Sequence, residues 1–193
     1  FPDVGTSYVL PRLPGATGTW LALTGARMRG ADNVHCGFAT HYVPREHLPA
    51  LRAALVESGD AGVVERFAAP LPEASFAPHR GAIDRCFGQP TVLGIVHALE
   101  ADGSEWALAQ LAILRRMSPT SLCVSLELLR RARALDLAGA LAEELHLTEG
   151  VVHDHPDFRE GVRSVLVDKD GAPAWTPRTL EAVDPAAVQA LFR

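Results

Sequence analysis

The chain has 193 residues, 48% of them hydrophobic and 21% charged, with a formal net charge of -5. That describes an ordinary globular protein, one sizeable domain or part of a larger one. The acidic balance offers no counterion-releasing surface, so no nucleic-acid partner is expected; no apolar run reaches the ~20 residues of a membrane helix, so no membrane is expected either. Cys36, Cys86 and Cys123 are widely spaced and no C-x-x-C occurs, which excludes zinc ribbons and redox motifs. Reduced thiols, each a small apolar filler, are expected. The basic residues are almost all Arg, with Lys169 the only lysine. With the abundant Ala, that bias points to a high-GC bacterial gene, and with the reduced thiols a bacterial cytoplasmic location is expected. The opening Phe1-Pro2-Asp3-Val4-Gly5 has no start-like segment and reads as a fragment whose upstream part is missing.

Taken in chain order, Thr6 and Ser7 can cap a short helix carrying Tyr8, Val9 and Leu10. A second helix is expected from Ala16 to Leu23, ending at Thr24-Gly25, and a third element from Ala31 to Cys36. Residues 38–43 alternate enough for a short strand. Leu48, Leu51 and Leu55 repeat at helical spacing up to Ser58-Gly59. Pro70, Pro72 and Pro78 make 67–79 a loop. Short helices follow over 79–87 and 91–101. Ser104 caps a helix running to Met117, with Trp106, Ile113 and Met117 as its apolar stripe. Ser118-Pro119 opens another, proline suiting a first turn, with Leu122, Leu126 and Leu129 as its core face. Leu137, Leu141 and Leu145 mark the next helix, and Phe158, Val162 and Val165 one more. Residues 44–167 are thus nearly all helix, each burying an apolar stripe.

Few constellations carry chemistry. Asp3 stands between Pro2 and Val4-Gly5, just before a helix, where a carboxylate serves as a cap or as a catalytic group. His153-Asp154-His155-Pro156-Asp157 offers nitrogen and oxygen ligands. However, Pro156 opens a helix whose first turn takes Asp157 and Glu160, so a polar loop is expected and no metal. There is no G-x-S-x-G elbow, and no Gly-rich phosphate loop. Lys169, between Asp168 and Asp170, reads as part of a solvated ion cluster, or as a contact to a phosphate of a bound ligand.

Four stretches together carry a resemblance. They are Phe1-Pro2-Asp3-Val4-Gly5 with Leu10-Pro11-Arg12-Leu13; Leu23-Thr24-Gly25 with Gly30-Ala31-Asp32 and Gly37-Phe38-Ala39-Thr40-His41; Ser118-Pro119-Thr120-Ser121; and Phe158-Arg159-Glu160-Gly161-Val162-Arg163 running through Leu166-Val167-Asp168-Lys169-Asp170 to Trp175-Thr176-Pro177. The first three resemble the enoyl-CoA hydratase/isomerase (crotonase) superfamily. The fourth is similar to the 3-hydroxyisobutyryl-CoA hydrolases within it, as is the long helical stretch 44–117.

The resemblance implies a spiral of ββα units followed by a helical region. Residues 1–43 would then end the crotonase core, and 44–193 would be the helical C-terminal region with the hydrolase-type insertion. The chain as it stands is expected to be mainly α, the C-terminal part of an α/β fold. The implied reaction is hydrolysis of a CoA thioester in valine catabolism, giving 3-hydroxyisobutyrate and CoA. Asp3 matches one of two catalytic carboxylates, and Asp3 and Gly5 would meet the substrate. The second carboxylate, a glutamate, and the oxyanion donors belong to the missing N-terminal half, so the fragment alone is expected to be inactive. No cofactor is implied, CoA being part of the acyl-CoA substrate. Thr6 replaces a usual glycine, and Asp3-Val4-Gly5-Thr6 also looks like dienoyl-CoA isomerases. A helical assembly module that supports a homo-oligomer, without catalysis, is the non-enzyme alternative.

Overall fold

The computed structural model describes residues 1–193, Asp154 through its backbone alone. Regular structure among the described residues is entirely helical. The helices are α1 (Thr6–Val9), α2 (Thr17–Thr24), α3 (Gly30–His35), α4 (Leu48–Ser58), α5 (Arg80–Phe87), α6 (Val92–Asp102), α7 (Glu105–Leu114), α8 (Pro119–Ala132), α9 (Leu137–Asp154), α10 (Pro156–Val162) and α11 (Pro185–Ala190). They gather into two compact units, one of Phe1–Ala26 with Gly81–Arg193 and one of Arg27–Arg80. The division expected after Val43 concerned a ββα core; the compact units divide at other points.

Helix boundaries fall where local chemistry puts them. Thr91, Ser104, Ser118 and Asp136 each accept a backbone N–H from the first turn of the helix they precede, satisfying donors that have no partner inside the helix. Gly25 and Gly59 close α2 and α4 in the left-handed conformation, which glycine adopts without a β-carbon penalty.

In the larger unit, α8 and α9 hold the centre. Val124 and Leu128 of α8 pack with Leu147 and Val151 of α9, with Val188 of α11 and with Phe192 just beyond it. Arg12, in the 3₁₀ turn Leu10–Arg12, donates to the carbonyls of Ala132 (3.2 Å) and Leu135 (2.6 Å) at the end of α8. A guanidinium there satisfies orphan carbonyls and complements the negative end of the helix. The same guanidinium lies 3.8 Å from the centre of the Tyr8 ring. Trp20 of α2 donates to buried Gln110 of α7 at 2.9 Å.

In the smaller unit, Asp32 is buried. It accepts from Arg29 N (2.7 Å), Ser75 N (2.6 Å) and Ser75 Oγ (2.9 Å). Burial pushes its carboxyl up, and the hydrogen bonds outweigh burial and hold it below the ordinary range.

Several expectations are corrected. Residues 38–43 form no strand: a ladder needs a partner strand, whereas Phe38 N and Ala39 N donate back to Asn33 O of α3 and Tyr42 O accepts from Ala69 N. The stripe expected on α7 is turned. Ala107, Gln110, Leu111 and Leu114 are buried, Trp106 and Ile113 are half-buried and Met117 is exposed. On α8, Leu122 and Leu129 are buried as expected, while Leu126 is only half so. On α9, Ala140, Glu144, Leu147 and Val151 face inward and Leu137, Leu141 and Leu145 face outward. Phe158, Val162 and Val165 are exposed too. Cys36 and Cys86 are buried fillers, and Cys123 is half-buried; burial raises all three thiols.

Gly18 tests the close approach of α2 to the Leu10–Arg12 turn. A β-carbon there would sit 1.8 Å from the Leu10 carbonyl oxygen, a backbone atom with nowhere to go. Gly18→Ala is expected to destabilise by about 2–3 kcal/mol, measured by denaturant unfolding; an unchanged midpoint would contradict this packing.

Candidate functional site

The segment Pro2–Ser7 is built around an unusual turn. Val4 has φ 53° and Gly5 φ 84°. Two successive left-handed residues reverse the chain sharply, and the first is a β-branched valine, for which that region is a true outlier. Such a conformation persists only where its surroundings over-determine it. Two sets of bonds do so. Asp3 O accepts from Thr6 N (2.9 Å) and Thr6 Oγ1 (2.6 Å). Gly5 N donates to Glu144 Oε2 at 2.8 Å and Ser7 N to Glu144 Oε1 at 3.0 Å.

Glu144 lies on α9 and is 4% exposed. It satisfies the donors at the start of α1, which take no cap from a neighbouring side chain. The cap that a sequence reading can assign to Asp3 is therefore supplied from another helix. The Asp3 carboxylate is exposed and makes no hydrogen bond among the described residues. Beside it Val4 is 86% exposed. A β-carbon built on Gly5 would lie 3.7 Å from Leu141 Cδ2 and 3.8 Å from Leu137 Cδ1. The turn thus carries an exposed carboxylate that makes no hydrogen bond among the described residues, its charge felt by the Phe1 ammonium, beside exposed Val4 and with Gly5 set against the outward leucines of α9.

The other motifs converge on buried Asp157. Its Oδ2 accepts from Ser118 Oγ at 2.5 Å and its Oδ1 from Thr176 N at 2.8 Å. Trp175 Nε1 donates to Arg116 O at 2.9 Å. Arg163 meets Glu160 (2.7 Å), Asp168 (2.6 Å) and Asp170 (2.6 Å), and Glu160 Oε1 also accepts from Ala174 N at 2.7 Å. The S-P-T-S, F-x-E-G-V-R and W-x-P stretches are thereby one clasp. Lys169 stands apart from it. Both acidic neighbours are committed to Arg163, so the ion cluster expected around Lys169 is centred on Arg163 instead. Lys169 itself is exposed, with φ 55°.

Among the described residues no group of three or more His, Cys, Asp or Glu could hold a metal; the side chain of Asp154, within the histidine-rich run, lies outside them. His155 Nδ1 accepts from Asp157 N at the start of α10. A polar hollow of about 520 Å³ lies against His153, His155, Arg159 and Arg163. A larger, mostly apolar cavity of about 570 Å³ is lined by Leu10, Cys123, Leu126, Val183 and Val188, with Arg130 among its polar groups. No helix of the described residues is long and apolar enough to cross a membrane.

The profile of the family described as Enoyl-CoA hydratase/isomerase matches residues 1–192. The chain belongs to that family. It is 40% identical over 205 residues to a "3-hydroxyisobutyryl-CoA hydrolase-like protein 5" of Arabidopsis thaliana, covering 99% of this chain and 53% of that protein. It is also 40% identical over 194 residues to the human "3-hydroxyisobutyryl-CoA hydrolase, mitochondrial", covering 95% of this chain and 50% of that protein. Among solved structures, a carnitinyl-CoA dehydratase from Mycobacterium thermoresistibile superposes with a TM-score of 0.92 at 37% identity, covering 100% of this chain and 55% of that one. An enoyl-CoA hydratase from Rhodobacter sphaeroides 2.4.1 gives 0.87 at 38% identity, covering 99% and 55%. The chain therefore spans about half the length of the curated relatives it matches. The resemblance read from the motifs holds at the level of family, and the curated relatives named here carry the hydrolase name.

Sequence reasoning singled out Asp3 and passed over Glu144, which the structure places in contact with the turn that carries it. The signal was present: Glu144 falls in register with Ala140, Leu147 and Val151, an acid inside a helical stripe of small and apolar residues.

The clasp gives a pH test. Glu160 is held down to about 2, from an ordinary 4.5, first by Arg163 and then by the Ala174 N–H. A carboxyl depressed on folding contributes stability that is complete above its unfolded value and lost as pH falls through the folded one. Unfolding followed from pH 4.5 down to 2 should therefore show a loss of stability that Glu160→Gln partly removes. An identical slope in the variant would mean that the ion pairs add nothing.

Proposed function

We propose that this chain is the Asp3-bearing half of a CoA-thioester hydrolase acting on 3-hydroxyisobutyryl-CoA, in the sense of valine catabolism. The observation that carries the reading is the Asp3 carboxylate, relieved of capping by Glu144 and exposed beside Val4 with no hydrogen bond among the described residues. The names borne by the curated relatives support the same reaction.

Hydrolysis adds the oxygen of water to the thioester carbonyl carbon, breaks the C–S bond and leaves a proton on the CoA sulfur. A free carboxylate beside an apolar surface is suited to orienting or relaying that proton. The second carboxylate, a glutamate, and the N–H donors for the developing oxyanion would come from the half of its relatives' length that this chain does not span. That half would carry the strands of a ββα spiral, and the exposed leucines of α9 are the surface it would cover. Gly5 would lie beside the acyl group and Lys169 would meet a CoA phosphate. A bacterial cytoplasmic enzyme, assembled as a homo-oligomer, fits the composition and the exposed apolar surface.

A second reading, hydration or isomerisation of an enoyl-CoA, is favoured by the hydratase and dehydratase names of the superposed structures. It frees no thiol. A third, assembly without catalysis, predicts self-association without binding of CoA esters.

Free-thiol release from 3-hydroxyisobutyryl-CoA separates them. The enzyme with both halves present should release CoA, Asp3→Asn should lower kcat by about 10²-fold or more, and the 193-residue chain alone should release none. Thiol release unaffected by Asp3→Asn would return Asp3 to the surface; double-bond chemistry without thiol would favour the second reading.

A further inference from the structure

We infer that Glu144 is the positioning residue for Asp3: its buried carboxylate fixes the turn that presents Asp3, without touching the reacting atoms. The inference rests on the reading of Asp3 given above.

Three observations carry it. The first is reach. Glu144 is separated by more than 130 residues from the amides it binds, and it takes both with different oxygens, Gly5 at 2.8 Å and Ser7 at 3.0 Å. A carboxylate gripping two N–H groups on either side of Thr6 fixes rotation as well as distance. The second is conformational need. The left-handed pair Val4 and Gly5 relaxes toward ordinary backbone unless something outside the turn opposes it. Thr6 binds only the Asp3 carbonyl within the segment, so the external restraint on the amides is Glu144. The third is rigidity of the support. Glu144 shares a face with Leu147 and Val151, which are locked into the α8–α9 cluster, and its own carbonyl accepts from Thr148 Oγ1 at 2.7 Å. The grip is transmitted from the packed core, not from a mobile loop.

The position of Asp3 is thus set by a helix that follows it by about 140 positions. Displacing a reacting group by about 1 Å can lower a rate about 10²-fold. Loss of the grip should therefore lower kcat and leave substrate affinity nearly unchanged.

The test uses the enzyme with both halves present and thiol release as the readout. Glu144→Gln replaces one acceptor oxygen by an NH₂ that cannot accept, and is expected to lower kcat about 10- to 100-fold with KM within about two-fold. Glu144→Asp keeps both acceptors on a shorter stem and should recover part of that loss; it carries the test if Glu144→Gln does not fold. Asp3→Asn combined with Glu144→Gln should be no slower than Asp3→Asn alone, since one acts through the other. Asp157→Asn, which weakens a second buried carboxylate in the same unit, controls for stability alone and should lower the melting temperature while preserving kcat. A folded Glu144→Gln with wild-type kcat, or losses that multiply in the double variant, would overturn the inference. Full activity of Asp3→Asn would instead remove the reading of Asp3 on which it rests.

Discussion

A carboxylate taken out of water must find hydrogen-bond donors inside the protein, and Glu144 finds two at the start of the chain. That single bidentate contact has consequences in both directions. It satisfies the donors at the start of a helix only four residues long, which could not persist by itself. It also draws α9 toward the first turn, so that the inward face of α9 continues into the cluster with Val124 and Leu128. Because Glu144 supplies the cap, the carboxylate nearest in sequence is left without that duty. The Asp3 carboxylate makes no hydrogen bond among the described residues, while that of Glu144 accepts two across the fold.

The second organising group is Asp157, and it explains why stretches far apart in the sequence make one family signature. Serine from one motif, a backbone amide from another and the arginine–acid cluster of a third meet around it. Each is fixed by its neighbours, so the fingerprint reports the shape of a clasp. The Asp32 cluster does the same for the smaller unit, where three donors converge on one buried carboxylate. In this chain the buried acids Asp32, Glu144 and Asp157 are all held by donors, and the acid proposed for chemistry is the exposed one.

What was legible in the sequence follows from range. Helix starts at Ser104 and Ser118-Pro119, and stops at Gly25 and Gly59, depend on atoms within four residues and were readable. The family was readable because its motifs are short. The buried faces were not. Leu137, Leu141 and Leu145 repeat at helical spacing, yet small Ala140 and acidic Glu144 occupy the core side of that helix. Hydrophobicity alone chose the wrong face, because an apolar surface beside Asp3 and a polar contact to the first turn exchange the usual pattern. The alternation at 38–43 was misleading for a related reason: period two describes side chains, while a strand also needs a partner for its backbone. Lys169 was read with its sequence neighbours, whereas Asp168 and Asp170 reach back to Arg163.

The grip of Glu144 on the first turn is open to direct observation by amide hydrogen exchange at Gly5 and Ser7. Amides bonded to a carboxylate that is 4% exposed should open only with the unit itself, and so exchange as slowly as the core amides of α8 and α9. Protection at that level, abolished in Glu144→Ala while the α8 core stays protected, is the expected result. Fast exchange at both positions in the unaltered protein would contradict the account, and would make the turn that carries Asp3 a loose end of the chain.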